Sequence, residues 1–220
     1  MAHPRRNWLR MSAALIAAHM AGLRHALAAG SVQKGVHRIS GDVRVNGAPA
    51  RAGMDIKAGD VIATGANSSV VFVTHKDAFL VRANSRVETE GRMGELLVTG
   101  LRIATGAVLS VFAPGEDKTL RTTTAVIGIR GTALYIEAEA ARSYVCLCYG
   151  EAEITSTADP AVRETLRTTY HDQPRYVSAA GAAPILQRAP VINHSDTELM
   201  MLESLVGRRP PFSNSGPGQY

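Results

Sequence analysis

The sequence predicts an all-β fold, a single domain of short strands arranged as a sandwich or a β-solenoid-like stack, closed by one C-terminal α-helix. From Ser31 to about Glu153, short runs of Val, Ile and Leu alternate with turn signals at a spacing of roughly ten residues. No long run in that region carries helical periodicity, and strands this dense without helices between them exclude βαβ units and a nucleotide-binding parallel sheet. The 220 residues are 45% hydrophobic but only 5% aromatic, so the core has to be built from aliphatic side chains.

The strands can be placed in order. Val43-Arg44-Val45 runs into Asn46-Gly47, two residues that tolerate positive φ and so make a hairpin turn. Gly53, Gly59-Asp60 and Thr64-Gly65 punctuate the next stretch. Val70–Val73 and Phe79–Val81 bracket the polar loop Thr74-His75-Lys76-Asp77. Further strands are expected at Leu96–Val98, Leu101–Ile103, Ala107–Phe112, Ala125–Ile127 and Ala133–Ile136, and a last long one from Val145 to Ile154, interrupted by Gly150. Asp159-Pro160 marks a loop. Leu166–Leu186 has a mixed pattern in which Tyr176-Val177 can return as an edge strand.

After Asn193 the period changes. Ser195-Asp196-Thr197-Glu198 fits a capping box, and Leu199, Leu202, Leu205 and Val206 follow at helical spacing until Gly207 stops the run. A helix is therefore expected near 196–206, its leucine face packed on the sheet or offered to a partner. The tail, 208–220, is rich in Pro, Gly and Ser and is expected to be disordered.

The formal charge of +5 is concentrated at the start of the chain. Residues 1–28 hold Arg5, Arg6, Arg10 and Arg24 and no acid, which leaves 20 basic against 19 acidic residues beyond them. No basic cluster follows, and a nucleic-acid partner is excluded on that ground. Arg5-Arg6-Asn7-Trp8-Leu9-Arg10, then an apolar stretch, then Ala26-Leu27-Ala28, is the basic, apolar, small-residue order of a signal peptide cleaved after Ala28. The paired arginines Arg5 and Arg6 resemble a twin-arginine export signal. His19, Arg24 and His25 break the apolar run, which is too short for a stable membrane anchor. The expected location is the periplasm, reached in the folded state.

Two stretches carry a family resemblance. Gly41-Asp42-Val43-Arg44-Val45-Asn46-Gly47 through Gly59-Asp60-Val61-Ile62-Ala63-Thr64-Gly65, with Ser68 before the next strand, is one; Thr124-Ala125-Val126-Ile127-Gly128-Ile129-Arg130-Gly131-Thr132 is the other. Together they resemble the FecR domain family over about residues 36–155. The resemblance implies a FecR-like β domain over 29–155, followed by a C-terminal extension over 156–207, and a periplasmic interaction or sensing role in envelope regulation or iron-uptake-type signalling with an envelope protein as partner. Only about four residues precede the paired arginines, so the cytoplasmic anti-sigma segment of the family's known regulators has no counterpart, and direct control of a sigma factor does not carry over. Within the second stretch, Gly128 and Gly131 let the backbone approach a neighbouring strand while Arg130, ahead of Thr132, acts as a structural tie to carbonyls or to an acid such as Asp60.

Cys146 and Cys148 are the only cysteines. On a strand they share a face, with alternate Cα atoms about 7 Å apart, at the limit of what a disulfide spans. They can form a strained or redox-responsive pair, remain buried thiols, or bind a soft metal. Of the histidines beyond residue 28, His171 and His194 lie downstream of the family match. With the two thiolates they would make a site for zinc or copper(I). The primary expectation is no cofactor, with this metal site as the alternative.

No catalytic residue is expected. Ser110, Thr132 and Ser143 lack a nucleophile elbow, no HExxH occurs, and Glu88/Glu90 and Glu137/Glu139 alternate along strands as solvated faces do. The chain reads as a non-enzymatic exported domain.

Overall fold

The computed structural model describes residues 32–213. The signal segment with Arg5 and Arg6, and the last seven residues of the tail, lie outside the described residues. Among the described residues, fifteen strands and one helix follow in order. The strands are β1 Gly35–Ser40, β2 Val43–Val45, β3 Ala48–Pro49, β4 Val61–Thr64, β5 Ser69–Thr74, β6 Asp77–Val81, β7 Arg86–Gly91 and β8 Val98–Val111. They continue as β9 Asp117–Arg121, β10 Ala125–Arg130, β11 Ala133–Ala138, β12 Arg142–Ser156, β13 Arg163–Thr168, β14 Arg175–Ser178 and β15 Leu186–Arg188. The helix, α1, spans Asp196–Leu205.

The ladder divides into two layers. Sheet A runs β1-β5-β6-β8-β11-β12-β14-β15, and sheet B runs β3-β2-β4-β7-β8-β9-β10-β12-β13. Every pairing is antiparallel except β8 with β9. Side chains from both layers, among them Ile62, Leu101, Ile127, Leu134 and Leu147, meet in one core, which is the arrangement of a sandwich. The core is not purely aliphatic as the composition suggests, because Phe72, Phe79 and Phe112 pack ring against ring within it.

Two long strands belong to both layers. The first half of β8 pairs in sheet B and its second half in sheet A, while β12 does the reverse. The separate runs expected at 101–103 and 107–112 are thus one strand, because the turn at Gly106 bends the ladder without ending it. Gly106 takes φ 86° and a Cβ there would lie 2.1 Å from Ser85 Oγ; Gly150 takes φ 101° and a Cβ there would lie 2.5 Å from Thr132 Cγ2. Both corners need the missing side chain for conformation and for space.

Sheet B is buried on one face, and its strands alternate accordingly, as in β7 and β10. Sheet A is buried on both faces: β6 is covered along its whole length and β12 from Ser143 to Tyr149. Val70, Phe72, Phe79, Val81, Leu134 and Val145 point into the sandwich. Their neighbours Val71, Val73, Leu80, Leu109, Val111, Tyr135 and Cys146 are buried outside that cluster, on the outer face.

The C-terminal segment supplies the cover. Helix α1 packs on β6 and β8 with Leu199, Leu202 and Val206 buried and Leu205 half-buried. Its capping box forms as the sequence predicts: Ser195 Oγ accepts from Glu198 N–H, and Glu198 Oε2 accepts from Ser195 N–H at 2.9 Å. The mixed stretch after residue 156 contributes β13, β14 and β15. Residues 208–213, expected to belong to a disordered tail, are packed; Phe212 is buried against Tyr149 and Tyr170.

Gly150→Ala should lower stability by about 1–3 kcal/mol through overpacking at the corner. Gly128→Ala, where a Cβ meets nothing within 4 Å, should change it far less. Chemical denaturation of the two variants checks the contrast.

Candidate functional site

Cys146 and Cys148 lie in the first half of β12, on the outer face of sheet A. A bulge between Ala133 and Leu134 sets Tyr149 opposite Ala133 and Leu147 opposite Leu134, so Cys148 has no residue facing it across the ladder. Bulges re-aim side chains, and this one adds its local twist where the second sulfur leaves the strand. The two sulfurs form no disulfide; both are buried, free thiols. An extended i, i+2 spacing explains this, since it holds the Cα atoms near the limit a disulfide can bridge.

His171 follows β13 and takes φ 45°, a left-handed conformation that costs a non-glycine residue about 1–2 kcal/mol. In that conformation its N–H donates to the Cys148 carbonyl at 3.1 Å, which draws the loop onto β12. His194 immediately precedes the helix cap Ser195. Its ring stacks on Tyr135 with centroids 4.6 Å apart. Three separate segments, β12, the loop after β13 and the approach to α1, thereby bring four donor atoms to one point.

The four donor atoms are close enough together to share a single ion. His171 Nδ1 lies 3.6 Å from Cys146 Sγ and 3.0 Å from His194 Nε2, and one donor atom from each of the four residues lies within 4.8 Å of every other. A zinc ion about 2.3 Å from sulfur and about 2.0–2.1 Å from nitrogen gives tetrahedral edges of roughly 3.3 Å between nitrogens and 3.6 Å between nitrogen and sulfur. The His171–Cys146 spacing equals the nitrogen–sulfur edge, the His171–His194 spacing is slightly shorter than the nitrogen–nitrogen edge, and the 4.8 Å bound leaves the other pairs within reach of one ion. Ligands of a two-iron cluster divide between two metals, which a set this compact does not accommodate.

The second contacts of the rings fix which nitrogen faces inward. His194 Nδ1 lies 2.7 Å from the Ile192 carbonyl, an acceptor only, so Nδ1 carries the proton and Nε2 presents a lone pair. His171 Nε2 lies 3.4 Å from Asp196 Oδ1, and Asp196 Oδ2 accepts from the Tyr170 hydroxyl at 2.8 Å. The carboxylate thus lies behind the His171 ring, on the side away from Nδ1, which faces the other donors. A carboxylate or carbonyl behind each imidazole is the usual support of a metal-binding histidine.

The thiols are electronically unequal. The Cys148 S–H donates to Cys146, and with help from His171 and His194 this pulls the Cys146 thiol down to about 4 in spite of its burial. Burial first, and then the charge on Cys146, drives the Cys148 thiol well above its ordinary value. The two thiols are thus pushed in opposite directions, Cys146 toward the deprotonated form in which cysteine binds a cation.

Cys146, His171 and Asp196 also stand in the order of a thiolate, imidazole and carboxylate relay. Burial rules against that use, because Cys146 and Cys148 are 0% exposed and His171 is 2% exposed, leaving a substrate no approach to sulfur. Of the hydroxyls considered as nucleophiles, Thr132 is buried without a hydrogen-bond partner among the described residues, and Ser110 and Ser143 are internal ties. Ser110 donates to the Leu134 carbonyl, and Ser143 bonds Thr122 and Thr124. Glu88 and Glu90 are paired with Arg102 and Arg121 on the outer face of sheet B.

The second motif does not join this centre. Arg130 is exposed and pairs with Asp117 at 3.4 Å, not with Asp60, because β10 and β9 place Arg130 directly opposite Asp117. Asp60 instead closes its own turn by accepting from Asn46 Nδ2 and Lys57 N–H. Gly131 does approach a neighbour closely, since a Cβ there would lie 2.6 Å from Pro114 Cα, whereas Gly128 faces open space. Thr132 is fully buried beneath the Gly150 corner. Arg130 borders an open depression of about 390 Å³ shared with Asp117, Lys118, Glu151 and Glu153, which is mixed in charge.

Asp196, Tyr170 and the Ile192 carbonyl are site groups that sequence reasoning missed. Asp196 carries one legible signal, its place beside His194 within the capping box, yet it supports the other histidine.

No protein-family model and no curated protein matches the chain. Among solved structures it is similar to a candidate anti-sigma factor from Parabacteroides distasonis, in crystal structures at 2.50 and 1.65 Å resolution. In each the identity is 11% and the TM-score 0.47, with 58% of this chain and 59% of the other covered. The match thus spans under two thirds of that protein's length.

Because the Arg130–Asp117 pair is solvent-exposed, Arg130→Ala should shift unfolding stability by no more than about 0.5 kcal/mol. Thermal unfolding of the variant is the check, and a loss of several degrees would show a structural tie after all.

Proposed function

We propose that this chain is an exported, non-catalytic β domain built around a structural metal centre, with Cys146, Cys148, His171 and His194 as ligands and zinc as the metal. The observation that carries the reading is the convergence of four buried donor atoms, each within 4.8 Å of the others, from three segments distant in sequence. Two sulfurs and two nitrogens, all supplied by protein, complete four-coordination and leave no open position for water or substrate. Closed sites of this kind hold structure, whereas catalytic zinc keeps one position free. When bound, zinc would supply a rigid, redox-inert crosslink among β12, the loop after β13 and the approach to α1.

The paired thiolates favour copper(I) as a second reading, since soft donors select it. Metal content separates the two.

Around this centre the FecR-like sequence stretches and the signal-like N-terminus support a periplasmic interaction or sensing domain that works with an envelope protein. A metal acquired during folding in the cytoplasm agrees with export of a folded domain by a twin-arginine route. Cell fractionation and N-terminal sequencing should find a product that begins at Ala29 in the periplasm; an unprocessed chain in the cytosol would contradict export.

Protein purified without added metal or chelator should carry about one zinc per chain by elemental analysis, in keeping with the single four-ligand site. Cys146→Ser, Cys148→Ser and His194→Ala should each lose it. Asp196→Asn, which keeps the four ligands and weakens the support of His171, should retain the site with affinity reduced about 10–100-fold. A wild-type protein that carries no metal and takes up none on titration would end the proposal, and one equivalent of copper would replace zinc with the second reading.

A further inference from the structure

The ligands differ in what holds them. Cys146 and Cys148 belong to a central strand of sheet A, with β11 on one side and β14 on the other. His194 belongs to a segment with no ladder of its own, which crosses the outer face of that sheet and covers the site. The cover is formed by α1, with Leu199 and Leu202 fully buried, and by Phe212, whose ring lies 5.9 Å from that of His171.

Polar contacts at the margin hold this cover down. Arg82 Nη2 reaches Glu198 Oε1 at 2.8 Å and the Asn193 carbonyl at 2.9 Å. Asn193 Nδ2 donates to Glu137 at 2.8 Å. Glu203 accepts from Tyr149 and from Arg208 Nε, and Arg208 Nη1 donates to the Lys76 carbonyl at 2.7 Å. A helix of ten residues does not persist alone in water, so α1 stays formed only while docked. Segments with few anchors of this sort open as local units while the rest of the fold stays intact.

We propose that residues 193–212 form a gate over the metal centre: zinc enters and leaves only when this segment lifts from sheet A, and bound zinc, through His194, latches it shut. The inference rests on the metal reading above. Two observations carry it. All four ligands are at most 6% exposed, so the ion has no direct route to solvent, and one of the four lies within the cover itself. The second fact makes the coupling reciprocal, since whatever zinc contributes to docking, docking contributes to zinc retention. Opening would bare Tyr135, on which His194 stacks, and the outer side of β6 and β8 beneath α1.

The test times transfer of zinc from the full mature chain to a chromophoric chelator in excess, after the zinc content has been measured. Leu202→Ala loosens the gate without touching a ligand and should release zinc about tenfold faster or more, given the usual cost of truncating a buried leucine. Arg82→Ala, on the half-exposed rim, should act in the same direction and remains informative if Leu202→Ala fails to fold. Hydrogen exchange should show α1 protected in the zinc-loaded chain and exposed after zinc removal, with β8 and β11 protected in both. Release at the wild-type rate in the loosened variants, or α1 exchange that ignores zinc, overturns the gate while the metal centre stands. A wild-type chain that carries no metal and takes up none overturns both.

Discussion

Sheet A has an apolar outer face that something must keep from water. Val71, Val73, Leu80, Leu109, Val111 and Tyr135 lie on it and are all buried, though none of them points into the sandwich. Sheet B faces water with its charged ladders, and one covered side is enough for it. Sheet A therefore sets the demand for a third layer, and over β6, β8 and Tyr135 residues 193–212 meet that demand. The layer is thin: one short helix, one aromatic ring and a rim of hydrogen bonds. A crosslink between this cover and the sheet is what the architecture most needs, and the four-ligand cluster lies at that junction.

The same cover closes the site to solvent. A thiolate beside an imidazole and a carboxylate has the ingredients of nucleophilic catalysis, but the layer that makes the site dry also closes it. A metal held by four protein donors in such a place contributes to folding free energy, on the order of 10 kcal/mol for small zinc domains. A contribution of that size at the thinnest layer would decide whether the outer face stays covered.

Much of this was legible in the sequence. Alternating aliphatic runs marked the strands, and Ser195 and Glu198 marked the helix start because a capping box is a local device whose partners lie three residues apart. The Cys146 and Cys148 pair was legible as two side chains on one strand face. Less was readable where meaning depends on pairing between distant segments. Arg130 faces Asp117 and not Asp60 because of the β9–β10 register, which no local pattern encodes. The union of 101–103 with 107–112 into β8 depends on a corner that bends without breaking the ladder. Phe212 lies among prolines, glycines and serines, whose composition signals disorder, yet a single aromatic ring finds a place beside His171. Asp196 reads as a helix-start acid, and only the fold reveals that it also faces His171.

The central claim is that two sulfurs and two nitrogens of this chain surround one metal ion. X-ray absorption at the zinc edge of the purified, metal-loaded protein tests it most directly. The account predicts a four-coordinate shell with two sulfur scatterers at about 2.3 Å and two imidazole nitrogens at about 2.0–2.1 Å. A shell of oxygen and nitrogen alone, or one lacking imidazole scattering, would mean that the ion sits elsewhere and that the buried cluster is only a packing of side chains.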